Sequence, residues 1–439
     1  MLDPYPILPF TEPVHGTIQL PGSKSITNRA LILAALSKQT TTLTGFLFSR
    51  DSELMLTALN TIGIACHIDQ AHNTVTVHGS GAEIPVDQAT LFIGNAGTAA
   101  RFLTAFLCLK KGGVYTLDGD VPMRARPMRE LLSTLESLGA AFEFHQTDGH
   151  FPFTVRTAGI SGGCVHLDAS ASSQFVSALL LIAAYAHEPL AVIASGVRPA
   201  FVNITVEMVR AFGGAIEQPE PGHFKIKNDA AYALTNRTYA IEPDISAGSY
   251  FIALPLAVGG QIKLPGLPLH MLQGDTQFAL VAEQYGAEVH RDQGQWIIGA
   301  HPATNGPFEH NFSTFSDTFL TLAAIAPLFE SPTRIEGIAH TRAQETDRVA
   351  GIVTELKKLG LKIIEENDAI EIYPDPIALK AAAQKGVTIH TYEDHRFAMS
   401  FAILGSKDLR EDGTPWLKIE NPLCCRKTFP QFFECLASL

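Results

Sequence analysis

The cations of this chain gather at a few recurring places, and their chemistry is that of anion recognition. Lys24 and Arg29 lie in PGSKSITNRA, Arg101 follows GNAGTAA, and Arg124 and Arg126 lie in DGDVPMRARPMREL. Further along, Arg342 and Arg348 bracket HTRAQETDR, Arg396 stands in YEDHRFAM, and Arg426 and Lys427 stand in CCRKTFP. A single arginine is most often a solvated surface charge. These sit at matching ends of repeated segments, and the guanidinium fork suits bidentate binding of carboxylate and phosphate. The same segments place Ser, Thr, Asn or Asp, often with Gly, ahead of an apolar run, which is the start signal of a buried helix. A helix start offers unpaired N–H groups and a positive dipole end, so the combination suits polyanionic ligands.

Regular elements must position these groups. Helix starts are expected near Ser23, Gly94, Ser170, Asp244, Ser316 and Glu393, at intervals of 71, 76, 74, 72 and 77 residues. A helix–Gly–strand hinge keeps the same period at Gly63, Gly139, Gly213, Gly286 and Gly360, where glycine fits the left-handed residue that ends a helix. A strand–turn–helix signal recurs around Gly45, Gly119, Gly196, Gly266, Gly337 and Asn421-Pro422. Six repeats follow, each strand, helix, strand, helix and a hairpin such as CHIDQAHNTVTV or FEFHQTDGHFPFTV. The sixth stops after FPQFFECLASL, and HGTIQLPG near the start is expected to complete it, tying the two ends of the chain together. The domains are then residues 1–22 with 243–439, and residues 23–242, with crossings at the turn-prone pairs Pro21-Gly22 and Glu242-Pro243.

Composition fits a compact enzyme: 46% apolar and 17% charged residues, with 35 glycines and 26 prolines, which is too apolar for disorder. The longest apolar run, FVSALLLIAAYA, is too short to span a bilayer. MLDPYPILPF carries no basic region or cleavage signature of a secretory signal. Six cysteines without zinc spacing or a disulfide framework predict a reducing cytoplasm. A formal charge of −12 argues against nucleic acid or an anionic membrane as partner. The sixteen histidines form no HxxxH or HExxH pattern, and no G-x-G-x-x-G lies between a strand and a helix, so neither a metal nor another cofactor is expected.

Nine motifs, PGSKSITNRA, GNAGTAARF, MRARPM, SASSQF, PDISAGSYF, SDT, QETDR, EDHRFAM and RKTFP, run in order from Pro21 to Pro430. In them the chain resembles the 5-enolpyruvylshikimate-3-phosphate synthase family. Each is weak alone; all nine in register are specific. The resemblance implies an α/β two-domain enolpyruvyl transferase fold with three βαβαββ units per domain and the site in the interdomain cleft. It implies transfer of the enolpyruvyl group of phosphoenolpyruvate to the 5-hydroxyl of shikimate 3-phosphate, releasing phosphate, by a cytoplasmic monomer without cofactor. Shikimate 3-phosphate would be held by Lys24, Ser25, Arg29, Ser172, Ser173, Gln174, Asp317, His340 and Gln344. Phosphoenolpyruvate would be held by Lys24, Asn95, Gly97, Arg126, Gln174, Arg348, Arg396 and Lys427. Lys24 would also help the phosphate leave, with Asp317 as base and Glu345 as acid, since two carboxylates in unlike surroundings can take opposite proton states. On local sequence alone Asp317 also reads as a helix cap.

The chain departs from the family pattern at several positions. Gln344 stands where many relatives have Lys, although Arg342 keeps a cation two residues away. His340 replaces a common Asn, and Phe102 a common Pro. The third repeat's turn, GVRPAFVNIT, leaves its phosphate contacts open, with Arg198 and Phe201 nearest. Phe102 and Gln344 together predict reduced sensitivity to glyphosate, which in this family occupies the phosphoenolpyruvate site. A UDP-N-acetylglucosamine enolpyruvyl transferase would typically carry Lys-Asn in place of Lys24-Ser25 and a reactive Cys (or Asp) in the loop matching DGDVPMRARP, which here has no Cys. A non-catalytic anion-binding homologue is the other alternative, and turnover with both substrates separates it.

Overall fold

The computed structural model describes residues 1–228, 231–292, 294–301 and 306–439. The chain divides into two compact units, Met1–Pro21 with Pro243–Leu439, and Gly22–Glu242. Among the described residues each unit carries three sheets, five of the six being four-stranded and the last three-stranded.

The second repeat gives the pattern. Strand Gln88–Phe92 leads into helix Gly97–Leu107, which returns as strand Lys111–Asp118 parallel to the first. A second helix, Arg129–Ser137, then feeds the hairpin Ala141–Phe144 and Phe153–Ala158, which adds antiparallel to Lys111–Asp118. The helix inside each βαβ loop is predominantly apolar and is enclosed. Every residue of Gly97–Leu107 is buried, as is nearly all of Lys24–Leu36 and Gln174–Ile182, and these three helices pack on one another. The other unit does the same with Ile245–Val258, Phe319–Ile325 and His395–Gly405. The glycine hinges fall at the C-terminal ends of the second helices, with φ between 80° and 117° for Gly63, Gly139, Gly213, Gly286 and Gly360.

Two βαβ loops are interrupted where the chain changes unit. Strand Thr238–Ala240 runs on toward helix Ile245–Val258, yet pairs in parallel with Thr40–Thr44 of its own unit. The parallel edge of Gly260–Pro265 is thereby left without its own preceding strand. Val14–Thr17 fills it, in register from Gly260↔Val14 to Lys263↔Thr17. This corrects the expectation that HGTIQLPG completes the sixth repeat: it completes the fourth. The sixth is closed instead by Tyr5–Pro6, antiparallel to Leu417–Ile419. The N-terminal segment thus tethers two sheets of one unit before the chain enters the other.

Gly260 sets how closely that tether can lie. Its φ is +93°, and a Cβ there would stand 2.0 Å from the Val14 carbonyl oxygen. Gly112 has a similar φ of +77° but no atom within 4 Å. Gly260→Ala should therefore destabilise the protein by more than the roughly 1–3 kcal/mol of a strained backbone alone, with Gly112→Ala as the strain-only control. Thermal melting of both variants checks this; equal losses would mean the strand approach is not limiting.

Candidate active site

In the unit containing both chain ends, the candidate residues converge on Arg348. The residue is 1% exposed, and a buried charge without partners costs several kcal/mol. Arg348 opens helix Arg348–Lys358, which Asp347 caps by accepting from Ala350 N at 2.9 Å. Its Nε and Nη2 fork onto Asp394, at 2.7 Å to Oδ2 and 3.3 Å to Oδ1. Nη1 donates to Asp317 Oδ1 at 3.2 Å, and Nη2 to Glu345 Oε2 at 3.0 Å. Gln344 Oε1 accepts from the same Nη1.

The carboxylates are shared outward. Arg396 Nη2 donates to Asp317 Oδ2 at 2.7 Å, and Lys427 Nζ lies 2.9 Å from Glu345 Oε1. Asp394 caps helix His395–Gly405 by accepting from Arg396 N at 3.0 Å. Three cations therefore face three carboxylates. Burial opposes the charge on Arg348, but Asp394, Glu345 and Asp317 outweigh it and hold its pKa above the ordinary value. Arg396 is likewise opposed by burial and raised chiefly by Asp317. Both are cations at any working pH.

Asp317 lies in the 3-10 turn Ser316–Thr318 and makes no helix cap; its two oxygens go to two guanidinium groups. His340 Nε2 bonds the neighbouring Ser316 Oγ at 2.8 Å. Arg342 turns away, to Asp347 at 3.2 Å and Glu365 at 3.0 Å, so it does not replace the cation that Gln344 lacks.

The other unit holds the remaining candidates. Lys24 begins helix Lys24–Leu36 with Nζ 3.8 Å from Asp51 Oδ2. Arg29, one turn on, is turned into the unit. Four of its N–H groups go to Thr205 Oγ1 (2.7 Å), Ser25 O (2.9 Å), Phe201 O (3.1 Å) and Ser177 Oγ (3.2 Å). Its guanidinium also stands 5.1 Å over the Phe102 ring. Burial pulls its pKa down to about 9, which leaves it charged at neutral pH.

Around Gly97 the packing is tight. A Cβ there would meet Arg101 Nη1 at 2.7 Å and Arg126 Nη1 at 2.8 Å, so any side chain would push both guanidinium groups aside. Arg126 Nη1 reaches Asn95 Oδ1 at 3.4 Å, and Arg101 Nη1 reaches Gln174 Oε1 at 3.4 Å. Ser172 Oγ accepts from Gln174 N at 3.3 Å, and Ser173 Oγ from Arg198 N at 2.9 Å. The third repeat's Arg198 and Phe201 thus support Ser173 and Arg29 through backbone atoms.

Sequence reasoning missed Asp51, Asp275 and Asp394. Asp51 and Asp275 stand 224 residues apart, three repeat lengths, each at the second helix of its unit's first repeat; that spacing was a usable signal. Asp394 lay inside EDHRFAM, next to the cations. Asp275 is 5% exposed, and its Oδ2 accepts from Ser246 Oγ at 2.6 Å. Burial, then the charge of Asp317, pushes its pKa up to about 7. Among the described residues no cluster of His, Cys, Asp or Glu is placed to hold a metal ion, and no helix is long and apolar enough to cross a membrane.

The chain matches the family model for EPSP synthase (3-phosphoshikimate 1-carboxyvinyltransferase) over residues 10–436. It is 48% identical to the 3-phosphoshikimate 1-carboxyvinyltransferase of Opitutus terrae, covering 100% of this chain and 97% of that one. The protein of that name from Trichormus variabilis is 39% identical, covering 98% of each chain. Among solved structures, EPSP synthase from Acinetobacter baumannii superposes with a TM-score of 0.79 at 25% identity, covering 99% and 97%. The enolpyruvyl transferase NikO from Streptomyces tendae, at 18% identity, TM-score 0.72 and coverage of 98% and 96%, shares the fold.

Asp275 makes stability depend on pH. With the folded pKa near 7 and the unfolded one near 4, its contribution is fully present below about pH 4 and is lost as pH rises through about 7. Asp275→Asn stays neutral, so its melting temperature relative to the parent chain should rise between pH 5 and pH 8. A difference independent of pH would show that Asp275 is ionised throughout.

Proposed function

Since the chain belongs to the EPSP synthase family, we propose that the side chains grouped in its two units carry out 1-carboxyvinyl transfer to 3-phosphoshikimate with phosphoenolpyruvate as donor. The two compact units act as its two domains, and the enzyme works as a cytoplasmic monomer. Shikimate 3-phosphate is held by Lys24, Ser25, Arg29, Ser172, Ser173, Gln174, Asp317, His340 and Gln344. The donor is held by Lys24, Asn95, Gly97, Arg126, Gln174, Arg348, Arg396 and Lys427.

The observation that carries this reading is the sharing of Arg348 between Asp317 and Glu345, at 3.2 and 3.0 Å. A cation that grips internal carboxylates can exchange them for the carboxylate or phosphate of a ligand. Each carboxylate that loses its cations then takes a proton more readily. Asp317 accepts the proton of the 5-hydroxyl as its oxygen attacks C2 of phosphoenolpyruvate. Glu345 delivers a proton to the methylene carbon, forming a tetrahedral adduct. Glu345 then takes back a methyl proton while phosphate leaves with the proton held by Asp317, which regenerates the double bond in the product and both carboxyl groups in their starting states. Lys24 and the arginines offset charge on the departing phosphate, an electrostatic contribution strongest where water is excluded.

Phosphate release with both substrates tests the reading directly. Asp317→Ala and Glu345→Ala should each lower kcat by about two to four orders of magnitude while calorimetry still finds the substrates bound. A variant keeping most of its kcat would cancel that residue's assignment.

A second expectation concerns glyphosate. Phe102 is buried beneath Arg29, and Gln344 already occupies a donor of Arg348. Both change the surroundings of a compact polyanion, so the ratio of inhibition constant to donor KM should be high in this chain. Phe102→Pro with Gln344→Lys should lower it; an unchanged ratio would reject both residues as its determinants.

A further inference from the structure

Glu355 has no part in the chemistry above, yet its carboxylate is among the most carefully satisfied in the molecule. It is 0% exposed and lies two helical turns after Arg348 on the same helix. Tyr392 OH donates to Oε1 at 2.8 Å, while Lys358 Nζ (2.6 Å) and His390 N (3.1 Å) donate to Oε2. A buried carboxylate is costly unless it is paired and hydrogen-bonded, so three donors on an otherwise unused group call for a reason.

The reason lies in the segment that Tyr392 begins. Tyr392 and Glu393 have φ of +55° and +58°, two consecutive non-glycine residues in the left-handed region. Such a conformation persists only where its surroundings over-determine it, and it concentrates near functional sites. The next residue is Asp394, whose carboxylate forks onto Arg348, and two further on is Arg396, which holds Asp317. The turn is therefore pinned twice to one helix, to Glu355 at its start and to Arg348 at its end. Between the pins the helix carries Gly351, where a Cβ would come within 2.7 Å of Phe397 Cζ and 3.4 Å of Tyr392 Cε2. The missing side chain lets both rings seat on the helix, with the Tyr392 ring 5.3 Å from Phe397 and 4.5 Å from His390.

We propose that Glu355 and Tyr392 are positioning residues for the donor-binding arginines. Their hydrogen bond holds the left-handed turn, which keeps Asp394 on Arg348 and sets where Arg396 leaves its helix. This rests on the reading that Arg348 and Arg396 hold phosphoenolpyruvate. Removing the hydroxyl frees the turn to relax and misplaces two donor-binding cations, whereas Lys24, Ser25, Arg29, Ser172, Ser173 and Gln174, which carry most of the hold on shikimate 3-phosphate, belong to the other unit.

The test is steady-state kinetics with each substrate varied in turn, for the parent chain, Tyr392→Phe, Glu355→Leu and Glu355→Gln, with melting temperatures alongside. Tyr392→Phe and Glu355→Leu should raise the KM for phosphoenolpyruvate about tenfold, the scale of one lost positioning contact, and leave that for shikimate 3-phosphate within about twofold. Glu355→Gln keeps an oxygen acceptor for the tyrosine and should restore most of the donor KM. Lowered melting temperatures with both KM values unchanged would reduce the pair to a structural role and overturn the proposal. An equal rise in both KM values would overturn it too. A parent chain that does not turn over would remove the functional reading first and this inference with it.

Discussion

Arg348 is the group on which the rest of this half of the molecule depends. The guanidinium of a residue that is 1% exposed has to be surrounded by acceptors, and this one draws Asp317, Glu345 and Asp394 from three separate segments. Each segment is a helix start or a turn leading into one, so the requirement to satisfy one buried cation aligns three elements of the fold. The pairing also sets the chemistry. In the proposed reaction, a ligand's anions would claim these cations and release the carboxylates, so substrate binding and acid–base readiness would share one set of contacts.

The exchanged strands serve the same end. In each unit, a helix whose preceding strand lies in the other unit still needs a parallel neighbour for the strand that follows it. Val14–Thr17 and Thr238–Ala240 supply these neighbours. The chain therefore changes unit only between a strand and the helix that begins with a polar start, at Ser23 and Asp244. Asp244 accepts from Ala247 N at 3.2 Å and so caps its helix with its own side chain, which lets a helix begin sharply after a crossing.

Much of this frame was legible. Period and composition placed the buried helices, because a predominantly apolar element is enclosed, and the hinge glycines fell where a left-handed residue ends a helix. Motif order carried the candidate cations. Pairing of the terminal strands was not legible: HGTIQLPG has the pattern of a strand, but alternation does not name its neighbour, and the open edge exists only because Thr238–Ala240 is engaged elsewhere. Side-chain direction was equally hidden. Arg342 and Arg29 occupy motif positions like their neighbours, yet one pairs with Asp347 and Glu365 and the other turns toward Thr205 and Ser177. Asp275 and Glu355 were hidden because a carboxylate's role depends on burial and partners, which spacing along the chain does not record.

The repeats also diverge at matching positions. In the first repeat the acid at the second helix, Asp51, lies 3.8 Å from a lysine at the start of the first helix, a long and loose pair. In the fourth repeat the corresponding acid, Asp275, meets the hydroxyl of Ser246 at 2.6 Å, with its pKa raised by burial and by Asp317. The same frame position thus holds an ammonium in one unit and a proton in the other. A buried acid beside Asp317 and Arg396 adds no further full negative charge below its pKa. Equivalent helix starts in the two units thus carry a lysine in one and a serine in the other.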